Sequence, residues 1–249
     1  MAERNQDWQR WVDFFTSRAN RPLPAIADQI DRQAVPSSVA RSLAIFQLGE
    51  SGGGSIVEQA RTSRIAEIDD AYADAMQLFV REENRHADVL AICVRLLGGE
   101  LIRENWTAKL FVWSRRLIGL RLKVIVLLAA EVVGICYYHL LASRLRSGAI
   151  EAWLTELVRD EKSHLEFHCE FLRSQVTSRS RKWLFVLTWR ATMAAAAIAV
   201  MIDHRAAIRD VGLEPGTVWR RWWRYAGLAE RLVCRRDIPE LQLGEAPVE

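Results

Sequence analysis

Glu82-Glu83-Asn84-Arg85-His86 and Asp160-Glu161-Lys162-Ser163-His164 share one pattern, acid-Glu-x-x-His. In a helix, positions i and i+3 stand about 60° apart around the axis and roughly 4.5 Å apart along it. Glu83 with His86, and Glu161 with His164, can therefore each reach one metal ion. A single pair of this kind arises often by chance, so the deciding question is whether each has a lone carboxylate on the helix before it.

Each does. Glu131 lies in Val124-Ile125-Val126-Leu127-Leu128-Ala129-Ala130-Glu131-Val132-Val133-Gly134-Ile135-Cys136-Tyr137-Tyr138 and is the only charge between Lys123 and His139. A carboxylate with apolar residues on every face of its helix is expected to be buried, and burial without a partner costs several kcal/mol. Metal coordination removes that cost. Glu50, in Ile45-Phe46-Gln47-Leu48-Gly49-Glu50, sits in a similar, less apolar setting.

The spacing agrees. Glu50 lies 13 residues before Ser63, and Glu83 lies 14 after Asp69; at 1.5 Å per residue these are about 20 and 21 Å, one level in antiparallel helices. Glu131 precedes Arg146 by 15 residues and Glu161 follows Ile150 by 11. Glu50 to Glu131 is 81 residues and Glu83 to Glu161 is 78. The chain reads as two helical hairpins, each donating a Glu and a Glu-x-x-His.

Working outward, residues 7–33 predict one or two short Trp-bearing helices, and Pro36-Ser37-Ser38 a helix start. The segment to Ser63 keeps helical spacing but carries Gly49, Gly52, Gly53 and Gly54. It is either a broken helix or a place where small residues make room beside Glu50. Asp69 or Asp70 caps a helix that ends at Gly98-Gly99. Further helices are expected over 100–118, 120–146, 150–176 and 179–209, then a short Arg/Trp helix from Thr217. No segment has strand periodicity, and no linker is long enough to split domains. The expectation is an all-α single domain over 1–249, a four-helix core at about 36–178 with extra N-terminal helices, and C-terminal helices over 179–235 packed on it.

The chain has 249 residues, half of them hydrophobic, and a net charge of +3 from 34 basic and 31 acidic residues. That is too mild for a nucleic-acid binder. Carboxylates occupied by metal would leave a more basic free surface, suited to an acidic partner. Cys93, Cys136, Cys169 and Cys234 form no CxxC pair, which fits a reducing cytosol, and the first residues lack the apolar core of a secretory signal.

Glu50, Glu83, Glu131 and Glu161 together carry −4, the charge of two divalent ions. Oxygen-rich donors with imidazole suit iron or manganese, and the lack of thiolate argues against structural zinc. This ligand order resembles the ferritin-like diiron-carboxylate superfamily. Glu82-Glu83-Asn84-Arg85-His86-Ala87-Asp88-Val89-Leu90 and Asp160-Glu161-Lys162-Ser163-His164 are most similar to the two iron-binding motifs of plant-type acyl-carrier-protein desaturases. The resemblance covers roughly residues 40–175. It implies a four-helix bundle with Glu50, Glu83, His86, Glu131, Glu161 and His164 as iron ligands, Glu83 and Glu161 bridging. The threonine that such enzymes often carry near the third ligand glutamate is replaced by Gly134 and Ile135.

The resemblance further implies O2-dependent desaturation, hydroxylation or related oxidation of a small or acyl-type substrate, with an electron donor such as a ferredoxin. The alternatives are a ferritin-like ferroxidase and a membrane-interfacial quinol oxidase or quinone hydroxylase. Asp160 and Glu82 are candidate partners for the histidine N–H groups. His168, one turn after His164, is read as a surface or supporting histidine rather than a ligand, and Tyr72 and Tyr138 as core residues. Trp183 to Ile202 is long enough to span a bilayer. Its mid-segment Arg190 favours a helix packed on the bundle over membrane contact. Trp219-Arg220-Arg221-Trp222-Trp223-Arg224 is read as an amphipathic helix covering the core. A homodimer is compatible with all of this.

Overall fold

The buried carboxylate of Glu131 needs a long apolar helix around it, and the structure, a computed structural model, provides one. It describes residues 7–23, 35–51, 54–107, 109, 119–145 and 148–235. Among them every regular element is helical: α1 (Gln9–Arg18), α2 (Ser37–Glu50), α3 (Gly54–Thr62), α4 (Asp70–Leu96), α5 (Leu120–Ala142), α6 (Gly148–Gln175), α7 (Arg179–Asp203), α8 (Arg205–Asp210) and α9 (Pro215–Cys234). The chain divides into two compact units. The first is Met1–Lys123 with Asp203–Asp210, the second Val124–Ile202 with Val211–Glu249. The two expected hairpins fall one in each unit, α2 and α4 in the first, α5 and α6 in the second.

In the first unit, α1, α2 and α3 all pack on α4, and α8 packs on α2. Asp69 Oδ1 accepts from the Tyr72 amide at 3.0 Å, so the predicted cap starts α4. Gly98 ends it at φ +73°, a conformation that side chains disfavour. A β-carbon on Gly99 would come within 2.7 Å of Ala40 Cβ, so this glycine permits the close approach of α2. Trp8, Trp11 and Phe15 bury the apolar face of α1. Trp8 lies edge-on to Tyr72 with centroids 4.8 Å apart, and its Nε1 donates to the Glu67 carbonyl at 2.9 Å.

In the second unit α9 packs on α6. Its buried Val218, Trp222, Ala226, Ala229 and Val233 recur at helical spacing, as an amphipathic helix requires. Trp189 of α7 donates from Nε1 to the Ala226 carbonyl of α9 at 3.0 Å. Helix α7 buries one stripe only, Phe185, Trp189, Met193 and Ala197. The opposite stripe, Leu184, Leu187, Ala191, Ala195, Ile198 and Ile202, advances 18 residues in five steps and is exposed along its whole length.

Several boundaries differ from the sequence reading. The segment after Pro36 is a broken helix: Ser51 turns extended (ψ 124°) immediately after Glu50, and α3 begins at Gly54. Residues 99–105 are not helical, because Asn105 caps a helical turn that starts only at Trp106, its Oδ1 accepting from the Thr107 amide at 2.8 Å. Helix α5 stops at Ala142, four residues early. The fifth predicted helix breaks at His204, which is buried, shares a 2.7 Å hydrogen bond with Ser42 and lies tilted against the Phe46 ring, centroids 4.7 Å apart. The expected helices within 24–34 and over 110–118, and the polar tail beyond Arg235, lie outside the described residues.

Candidate metal centre

Each unit holds one group of buried donors. In the first, α4 turns Glu83 and His86 to one face because three residues span most of a helical turn. His86 is wholly buried, and its Nδ1 lies 3.7 Å from Glu83 Oε1. Neighbouring Glu82 is also buried, but two arginines reach it, Arg18 through Nε at 3.2 Å and Arg21 through its guanidinium. These contacts tie the end of α1 and the following turn to α4. Arg85 adds a bond to the Pro22 carbonyl at 3.0 Å. No pattern in the sequence pointed to Arg18 or Arg21, since arginines 61 to 64 positions distant carry no local signal. Glu50, the last residue of α2, is half-buried.

In the second unit α6 places Glu161, His164 and His168 on one face by steps of three and four residues, opposite Glu131 of α5. All four are buried, Glu131 being 3% exposed. His164 Nδ1 stands 3.4 Å from Glu161 Oε2 and 3.8 Å from Glu131 Oε2. The other Glu131 oxygen, Oε1, faces His168 Nε2 at 3.3 Å. Glu131 thus presents one oxygen to each imidazole. Of the two readings of His168, surface or supporting, the structure excludes the surface one and sets the buried ring against Glu131; what the sequence does carry is its spacing of four from His164. Burial, reinforced by His164 and opposed by Glu161, pushes the His168 imidazolium down to about 3, so the ring is neutral at pH 7, the form that binds metals.

A β-carbon on Gly134 would meet Tyr138 at 3.4 Å and the Glu161 carboxyl carbon at 3.8 Å. This glycine therefore lies directly beside a donor. Tyr138 and Tyr72 are fully buried, and burial pushes the Tyr72 hydroxyl well above its usual range. All four cysteines are free, and burial raises the Cys93 thiol to about 12 and the Cys136 and Cys169 thiols further in the same direction. Those three buried thiols are inert, apolar packing groups, while Cys234 is only part-buried.

Comparison with protein-family models, with curated proteins and with solved structures gives no match.

The chemistry of the site therefore stands on its own residues. Glu83 and His86 in the first unit, and Glu161 and His164 in the second, are buried donors of the kinds that hold metal ions. Metal–ligand bonds of 2.0–2.2 Å set neighbouring donors about 3.0–3.6 Å apart. Of the contacts within each unit, those at 3.3 and 3.4 Å fall inside that spacing and those at 3.7 and 3.8 Å lie slightly above it. Imidazoles and carboxylates without thiolate suit iron or manganese.

Proposed function

We propose that this chain is a ferritin-like diiron protein that activates O2 to oxidise a small or acyl-type organic substrate. Glu50, Glu83, His86, Glu131, Glu161 and His164 hold the two ions, with iron–manganese or dimanganese loading as variants of the same donor set. The observation that carries the reading is the repeat of one buried device on two helices, Glu83 with His86 on α4 and Glu161 with His164 on α6, each preceded by a helix bearing a further glutamate.

When bound, such a metal pair supplies the electrons and Lewis acidity for O2 reduction. The chain's own residues hold, orient and exclude. Glu131 and Glu161 fix the imidazole of His164, and the buried run from Val124 to Leu141 keeps water from the carboxylates. Gly134 lets Tyr138 and the Glu161 carboxyl pack close against α5. Electrons come from an external donor, and the surplus of arginine fits an acidic carrier such as a ferredoxin. The site of action on this reading is the cytoplasm.

Anaerobic addition of Fe(II), metal analysis and a Mössbauer spectrum test the proposal. Two irons per chain and substrate-dependent O2 uptake are expected. A chain that retains no iron refutes it, and iron oxidation with no organic substrate consumed assigns a ferroxidase instead.

A second reading, oxidation of a quinol at a membrane surface, rests on a separate observation. Leu184, Leu187, Ile198 and Ile202 are each more than half exposed on one face of α7, and Arg179, Arg181 and Lys182 precede them. Co-sedimentation with anionic but not neutral vesicles favours this reading; a chain that stays in solution with both removes it.

A further inference from the structure

Four buried donors belong to α5 and α6 alone: Glu131, Glu161, His164 and His168. They meet in pairs within a single unit: His164 Nδ1 with Glu161 Oε2 at 3.4 Å and with Glu131 Oε2 at 3.8 Å, and His168 Nε2 with Glu131 Oε1 at 3.3 Å. Two carboxylates match the charge of one divalent ion, and two imidazoles select a transition metal over magnesium or calcium. The donors stand on two long helices whose backbone is already ordered, so little is left to arrange on binding.

The first unit is built differently. Its Glu-x-x-His turn supplies one carboxylate and one imidazole at 3.7 Å. Its adjacent carboxylate, Glu82, is engaged by Arg18 and Arg21. Its further glutamate, Glu50, is half-buried at a helix end where the backbone leaves the helix. Among the described donors this unit therefore sets one imidazole on its Glu-x-x-His helix, against two on α6, and its further glutamate stands at a helix end.

We infer that the two metal positions are unequal: Glu131, Glu161, His164 and His168 form a high-affinity position complete within one unit, with His168 as a ligand, and the position of Glu83 and His86 fills second and more weakly. The second half of this inference rests on the two-metal reading above; the first half does not.

The test is anaerobic titration of the metal-free full chain with Co(II), followed by calorimetry, by the visible absorption of the ion and by proton NMR of the loaded chain. Two steps are expected, at least about tenfold apart in affinity. Glu83→Gln, which keeps the shape of the side chain, should retain the tight step and lose the weak one. In that variant loaded with one Co(II), two paramagnetically shifted, exchangeable imidazole N–H resonances are expected, one from His164 and one from His168. Adding His168→Gln should remove one resonance and weaken the tight step at least about tenfold, with circular dichroism unchanged.

Two ions bound with equal affinity overturn the inference and leave the two-metal reading standing. One tight ion in both wild type and Glu83→Gln ends the two-metal reading and supports the high-affinity position. A single imidazole resonance in loaded Glu83→Gln removes His168 from the ligand set, and loss of both steps in that variant overturns the self-contained position.

Discussion

Helices α5 and α7 are both long and apolar enough to cross a bilayer, and each carries one charge in the middle of its apolar run, Glu131 in α5 and Arg190 in α7. Their surroundings differ. In α5, 83% of the most apolar stretch is buried, against 22% in α7. The charge of α5 is drawn inside and answered by His164 and His168. The charge of α7 stays exposed, its Nε and one terminal nitrogen bonded to Glu230 of α9 at 2.8 and 3.0 Å. Composition therefore does not decide which apolar helix becomes core. What decides is whether neighbours cover all its faces, as for α5, or one stripe, as for α7.

The comparison is broken most directly at Glu131. Glu131→Ala should lower the metal retained through gel filtration at least about tenfold while far-ultraviolet circular dichroism keeps its helix content. Full metal content in that variant would mean the buried charge of α5 has another purpose.

On α7 the buried stripe should behave as core. Trp189→Ala removes a ring stacked on Phe185 and a hydrogen bond to α9. It should cost about 3–5 kcal/mol in urea unfolding; a loss under about 1 kcal/mol would show that α7 is not anchored there.

Where the apolar run of α7 stops, His204 adds a pH dependence. Burial pushes it from 6.5 down to about 4, with Asp203 opposing. The unfolded chain takes up the proton near 6.5 and the folded chain only near 4. Acidification through that window therefore favours unfolding: the contribution is full above pH 6.5 and is lost by about pH 4, to the extent of about 3 kcal/mol. His204→Gln, which does not titrate, should flatten that part of the stability–pH curve.

The exposed stripe should matter less to folding than to association. Leu184→Ser with Ile198→Ser should change unfolding stability by no more than about 0.5 kcal/mol while reducing sedimentation with anionic vesicles or self-association on sizing columns. The smallest effect belongs to Arg190→Ala, where the exposed ion pair with Glu230 should leave the melting midpoint unchanged.

The helices were legible because helical period and end signals are local. Asp69 as a cap and Gly98 as a stop each act within a turn of their position. Glu131 could be read as buried because every face of its helix is apolar, leaving no orientation that exposes it. The break after Glu50 was only half legible, since its glycines allow a loop without requiring one. His168 was under-read because a histidine one turn from another has the same sequence on a wet face as on a dry one.

From the sequence alone came the all-α class, the two Glu-x-x-His turns and the interior position of Glu131, all consequences of period and polarity within one helix. Only the tertiary structure decided that Arg18 and Arg21 hold Glu82, that His168 faces Glu131, that α7 keeps an apolar face in the open and that its run ends at His204 against Ser42. Those outcomes depend on which surfaces meet, and contacts between residues tens of positions apart are set by packing, which no local pattern of one chain encodes.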